Sequence, residues 1–161
     1  MIREATEADF ERIHSIVMAP ETNPFLSFEP MDLEAFRPLF AEITAQSRVW
    51  VWEEEGDVVG VVRTCRGVRR TAHVIYLGTL AVDPAWSGRG IGRRFMNELL
   101  MRIRTWDGIR RVELSAEADN PRALSFYESL GFQREGVMRG WFRRASDDVD
   151  IDEVMMGLLL Y

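Results

Sequence analysis

The segment from Ala72 to Val82 is almost unbroken in apolar residues, stops at Asp83-Pro84, and is soon followed by Ser87-Gly88-Arg89-Gly90-Ile91-Gly92. An apolar run of that kind predicts a strand covered on both faces. Glycine at 88, 90 and 92 predicts a sharp turn with uncovered backbone N–H groups. Gly78, inside the strand, predicts a bulge or the close approach of another backbone or a ligand. Ile91, Phe95, Leu99 and Ile103 then fall on one face of a helix. Its first turn adds about four unpaired N–H groups and a partial positive charge, so the junction forms a cradle suited to a diphosphate. Arg89, Arg93 and Arg94 add formal charge beside it.

Two familiar phosphate motifs do not fit. No Lys-Ser or Lys-Thr follows, so the turn is not a P-loop, and the third glycine of a dinucleotide fingerprint would fall on Arg93 or Phe95. A phosphate-bearing ligand of another kind remains, against the plainer reading of a structural glycine turn.

The rest of the chain sets an architecture. Ile2 to Ala5 reads as a strand, and Thr6 as the cap of a helix bearing Phe10, Ile13, Ile16 and Val17. Asp32 caps a second helix, in which Pro38 predicts a kink or a split. Val49 to Trp52 and Val58 to Val62 flank a Glu55-Gly56-Asp57 turn, giving a hairpin. Val112, Leu114 and Ala116 alternate as a strand, Asn120-Pro121 opens a helix, and Gly131 closes it. Two last strands, Phe132 to Arg144 and Val149 to Leu160, join through Ser146-Asp147-Asp148. The order β-α-α-β-β-β-α-β-α-β-β gives an α/β fold, a mixed sheet with helices on it, in one domain spanning residues 1–161.

Composition narrows the partners. With 20 basic against 26 acidic residues the net charge is −6, which argues against nucleic acid as a partner. A single cysteine, Cys65, allows no internal disulfide and fits a reducing cytoplasm. No apolar stretch reaches the ~18 residues of a membrane span, and the early acids Glu4 and Glu7 do not suit a secretory leader. Two histidines and one cysteine leave no set of ligands for a structural zinc. Asp148, Asp150 and Asp152 imitate the start of a calcium loop, but Glu153 holds its glycine position and Leu159 its final glutamate position. No metal is expected.

Leu80-Ala81-Val82-Asp83-Pro84, Gly88-Arg89-Gly90-Ile91-Gly92 and Asn120-Pro121-Arg122-Ala123-Leu124-Ser125-Phe126-Tyr127-Glu128-Ser129-Leu130-Gly131-Phe132 together resemble the GNAT superfamily of N-acetyltransferases. The resemblance is sharp from Tyr76 to Phe132, and the flanking element order agrees. It implies a mostly antiparallel central sheet of about seven strands with four helices on its faces, and acetyl-coenzyme A as co-substrate. It also implies roles. Leu80, Ala81 and Val82 resemble the strand that pairs with the pantetheine arm; Ser87 to Gly92, with Arg93, resemble the diphosphate loop. Ser87 departs from the Gln or Arg usual there, which removes one phosphate contact and leaves the backbone cradle. Asn120 resembles the side chain bonding the cofactor near its thiol, Ala123 and Phe126 would line its groove, and Tyr127 resembles the general acid. The family also allows a homodimer.

The chemistry asks for such a phenol independently, because attack of an amine on a thioester expels a thiolate that Tyr127 can protonate. The competing reading makes Tyr127 a core aromatic beside Leu124 and Leu130. The base is less defined. The strand before Asp83 has no carboxylate; His73 has a suitable resting pKa, and Glu113 or Glu117 could act through water. A lysine-type amine, pKa about 10.4, is free base in about one molecule per thousand at pH 7, an α-amino group in roughly one per ten. A site lacking a dedicated carboxylate therefore favours an α-amino acceptor, in an amino acid or a peptide N-terminus. An enzyme acetylating protein N-termini and a non-catalytic coenzyme A sensor are the rival readings.

Overall fold

The computed structural model describes residues 1–144 and 148–161. The linkage expected at Ser146-Asp147 lies outside the described residues. The elements follow the expected order: β1 (Ile2–Glu4), α1 (Phe10–Val17), α2 (Leu33–Gln46), β2 (Arg48–Glu54), β3 (Asp57–Arg66), β4 (Val74–Val82), α3 (Ile91–Arg104), β5 (Arg111–Glu117), α4 (Pro121–Glu128), β6 (Gln133–Phe142) and β7 (Ile151–Leu159). The strands form one seven-stranded sheet ordered β1-β2-β3-β4-β5-β7-β6. Strands β4 and β5 pair in parallel, with α3 between them in the chain, whereas β1–β2, β2–β3, β5–β7 and β6–β7 are antiparallel. Contacts divide the chain into two compact units, Met1–Cys65 with Gly78–Thr105, and Arg66–Leu77 with Trp106–Tyr161, so the division falls inside β4.

In the first unit, Val51 lies opposite Val61 and Val49 opposite Arg63 in the β2–β3 ladder. Val49, Val51 and Val61 join Phe10, Ile13, Val17, Phe36 and Phe40 of α1 and α2 in one buried core. Phe10 stacks on Phe36 at 5.7 Å and tilts against Phe40 at 5.3 Å. The opposite face carries Trp52, packed on Phe95 of α3 at 5.7 Å. A Cβ on Gly60 would come within 3.2 Å of the Phe95 ring, so a bare residue there lets the helix approach. The N-terminus is tied by Asp9, which accepts from the Thr6 N–H at 2.7 Å and from both Arg3 Nη atoms at 2.8 Å.

Two local expectations change. Thr6 opens a short 3-10 turn, Glu7–Asp9, and α1 starts only at Phe10. Helix α2 runs unbroken through Pro38. Pro38 leaves the Glu34 carbonyl without its helical donor, but both residues are exposed and water can serve that carbonyl.

In the second unit Ile75, Val112, Leu114, Ala116, Val154 and Met156 are buried along β4, β5 and β7. Asp150 accepts from Arg143 at 2.6 Å and Asp152 from the Gly140 N–H at 2.8 Å, so these carboxylates serve the terminal hairpin.

Candidate active site

The turn predicted between β4 and α3 begins with Asp83, whose N–H donates to Val59 at 2.9 Å and whose carboxylate accepts from the Ala85 N–H at 2.8 Å and pairs with Arg12. Pro84–Trp86 form a 3-10 turn. Gly88 and Gly90 then take left-handed backbone, φ 76° and 72°, and a Cβ on either would meet nothing within 4 Å. Gly90 is the N-cap and has no side chain to occupy the N–H groups of the first helical turn. Those donors and the exposed residues 87–90 suit an anion as large as a diphosphate.

The surrounding cations divide by role. The Arg89 guanidinium lies over the Trp86 ring at 4.5 Å, beside the loop. Arg94 is engaged with Glu54 at 3.2 Å and lies over Trp52, so its charge is turned to the β2–β3 hairpin. Ile91 is 2% exposed and anchors the helix in the core; only its backbone can serve a ligand. Along β4, Ala81 is buried, and Leu80 and Val82 are half-buried. The left-handed residue of this strand is Thr79, φ 56°, directly after Gly78, where the sequence predicts a bulge or a close approach. A β-branched side chain in that region is a strained exception, worth on the order of 1–3 kcal/mol.

The second unit holds the candidate acid–base groups. Asn120 caps α4, its Oδ1 accepting from the Ala123 N–H at 3.1 Å, which leaves its amide NH2 as donor. Ala123, Phe126 and Tyr127 are half-buried on α4. The Tyr127 ring meets Phe126 at 5.4 Å and Phe132 at 6.0 Å. Burial, and then the nearby Glu117 and Tyr76, push its phenol well above the usual tyrosine value, so it stays protonated.

Glu117, one of the two β5 acids the sequence offers as a base through water, stands at the end of the strand and is 5% exposed. Burial raises its pKa; the charge of Arg144 opposes this, and Glu153 and Asp119 reinforce it. Arg144 itself holds Asp119 through two contacts, 3.0 and 2.9 Å. On the same sheet, Ser115 donates to Glu153 at 2.6 Å and lies 3.3 Å from the Tyr76 hydroxyl. His73 stands just before β4, exposed, with its carbonyl accepting from the Arg110 and Arg111 N–H groups at 2.9 and 3.2 Å.

Residues 10–132 match the model of the acetyltransferase (GNAT) family, and the match runs through segments of both units. The chain belongs to that family and is an acyltransferase. It is 34% identical over 144 residues to N-alpha-acetyltransferase RimI of Mycobacterium tuberculosis, covering 89% of this chain and 84% of that protein. It is 30% identical to the L-amino acid N-acetyltransferase AaaT of Escherichia coli, covering 93% of each. The crystal structure of ribosomal-protein-alanine N-acetyltransferase from Brucella melitensis superposes with a TM-score of 0.80, at 25% identity over 99% of each chain. Among the described residues no helix is long and apolar enough to cross a membrane.

Proposed function

We propose that residues 1–161 act as one catalytic domain that moves an acetyl group from acetyl-coenzyme A directly to the α-amino group of an amino acid or peptide. The donor supplies an activated thioester. Gly88, Gly90 and the first N–H groups of α3, with Arg89, hold its diphosphate; Leu80 and Val82 offer strand backbone to its amide arm; the Asn120 amide donates near its sulfur. Glu117 takes the proton the amine loses as the C–N bond forms. Tyr127 gives its proton to the sulfur as the C–S bond breaks. A carboxyl raised by burial is a better base near neutrality than an exposed one. Glu117 is preferred over His73 because its charge is felt at Tyr127, whereas His73 stands exposed before β4.

The observation that carries this reading is the pairing of a protonated, half-buried Tyr127 with a buried Glu117 whose charge it senses. With Glu117 buried, the lack of a carboxylate on β4 does not by itself favour an α-amino acceptor. The acceptor preference rests instead on the two relatives named for N-alpha and L-amino acid acetylation. Turnover of acetyl-coenzyme A with amino acids, short peptides and polyamines tests it. Acetylation restricted to α-amines is expected; ε- or polyamine preference overturns it, and donor binding without turnover of any amine favours a sensor.

A further inference from the structure

Arg63 interrupts an otherwise apolar surface. It shares its face of the sheet with Val49, Val51 and Val61, the face on which α1 and α2 build the core. Its Nε is shut off from solvent and has no hydrogen-bond partner among the described residues, although the residue as a whole is half-buried and keeps some exposure. A charged donor left this way costs free energy, and folding alone gives no reason to retain it.

Arg63 also lines a cavity of about 20 Å³ whose walls include Ile13, Phe28, Phe36, Ile43 and Thr79. Apart from Arg63 and Thr79, every lining residue is apolar, so the walls hold no acid to answer the guanidinium. Thr79 is the strained residue of β4 and directly precedes Leu80, where the arm of the donor is expected. An unpartnered guanidinium nitrogen, an apolar recess and a distorted strand thus meet at one place.

We infer that Arg63 binds the carboxylate of the acceptor, and that the acceptor is a free α-amino acid with a small apolar side chain. Guanidinium and carboxylate match as a planar, two-point pair. An α-amino acid carries that carboxylate on the carbon that bears its amine. A peptide N-terminus has an uncharged amide at the same position, and a polyamine brings a like charge. The cavity has room for a group of about water or methyl size, consistent with a short apolar side chain. This inference rests on the acetyl-transfer reading above and narrows its acceptor.

The test compares kcat/KM for L-alanine and L-valine with that for their carboxamides, in the unaltered protein and in Arg63→Met and Arg63→Lys. The unaltered protein should favour the free acids at least tenfold. Arg63→Met should bring the acid-to-amide ratio close to one, chiefly through KM of the acid, and Arg63→Lys should restore part of it. Equal use of acids and amides by the unaltered protein overturns the inference while leaving acetyl transfer intact, and needs no variant to fold. Persistence of the preference in Arg63→Met overturns it equally. Failure to acetylate any amine removes the underlying reading as well.

Discussion

Glu117 stands directly opposite Glu153 across the β5–β7 ladder, so two carboxylates share one face of the sheet. They are not equivalent. Glu153 receives the Ser115 hydroxyl at 2.6 Å, while Glu117 is the buried one and forms no ion pair among the described residues. Like charges at this spacing favour protonation of the less supported partner. On the proposed mechanism, the asymmetry favours Glu117 over Glu153 as the group that exchanges a proton.

Replacing that carboxylate should separate activity from stability. Glu117→Gln is expected to lower kcat by about 10²-fold or more and to remove the acidic limb of the kcat/KM profile. The pKa is raised in the folded state, so the stability tied to this group is complete at low pH and is lost as pH rises through the folded value. The variant should therefore melt higher at pH 7.5, by about 2–4 °C for a gain of roughly 1 kcal/mol in a chain of this size. That gain should shrink at pH 4. Melting curves at the two pH values check it, and a lower Tm at pH 7.5 contradicts it.

Tyr127→Phe removes a hydroxyl that makes no hydrogen bond among the described residues. Its Tm should stay within about 2 °C of the parent, while kcat falls by about 10²-fold with donor KM nearly unchanged. Single-turnover rates with saturating donor measure this. Unchanged kcat would return Tyr127 to a packing role.

Gly90→Ala meets no neighbour but must take a left-handed φ of 72°. About 1 kcal/mol of stability should be lost. The added methyl also stands at the cap of α3, so the dissociation constant for coenzyme A should rise at least about tenfold, equivalent to ~1.4 kcal/mol. Calorimetric titration with coenzyme A gives the answer, and unaltered affinity would place the diphosphate elsewhere.

Asp9 offers a control far from the chemistry. The Arg3 guanidinium, helped by the Thr6 N–H, holds its carboxyl at about 2, against 3.8 ordinarily. A depressed value stabilises the fold above the ordinary pKa and is lost as pH falls through the folded one. Asp9→Asn should thus cost about 2 kcal/mol at pH 7, with the difference from the parent closing between pH 4 and pH 2. Urea midpoints across that range measure the closure.

Local signals were legible in the sequence; burial was not. The glycine turn, the start of α3 at Ile91, the Asn120 cap and the element order all depend on short-range chemistry, and all appear where expected. Pro38 misled because its damage depends on which carbonyl is deprived and whether water reaches it. Gly78 was a reasonable place for a distortion that Thr79 carries instead, a choice set by the neighbours of β4. Glu117 could not be told from an exposed strand acid, since only the pairing of β5 with β7 and the packing over them bury it. Arg63 was legible in principle, as a cation in phase with Val59 and Val61 on an alternating strand.

Arg89 resting on Trp86 bears on how fast and how tightly an anion is captured. A free arginine loses up to about 2 kcal/mol of rotamer freedom when it is fixed on a ligand. Here the indole has already confined the side chain during folding. On the proposed reading, capture of the diphosphate begins from a preorganised receptor, and its entropic penalty falls mainly on the incoming molecule.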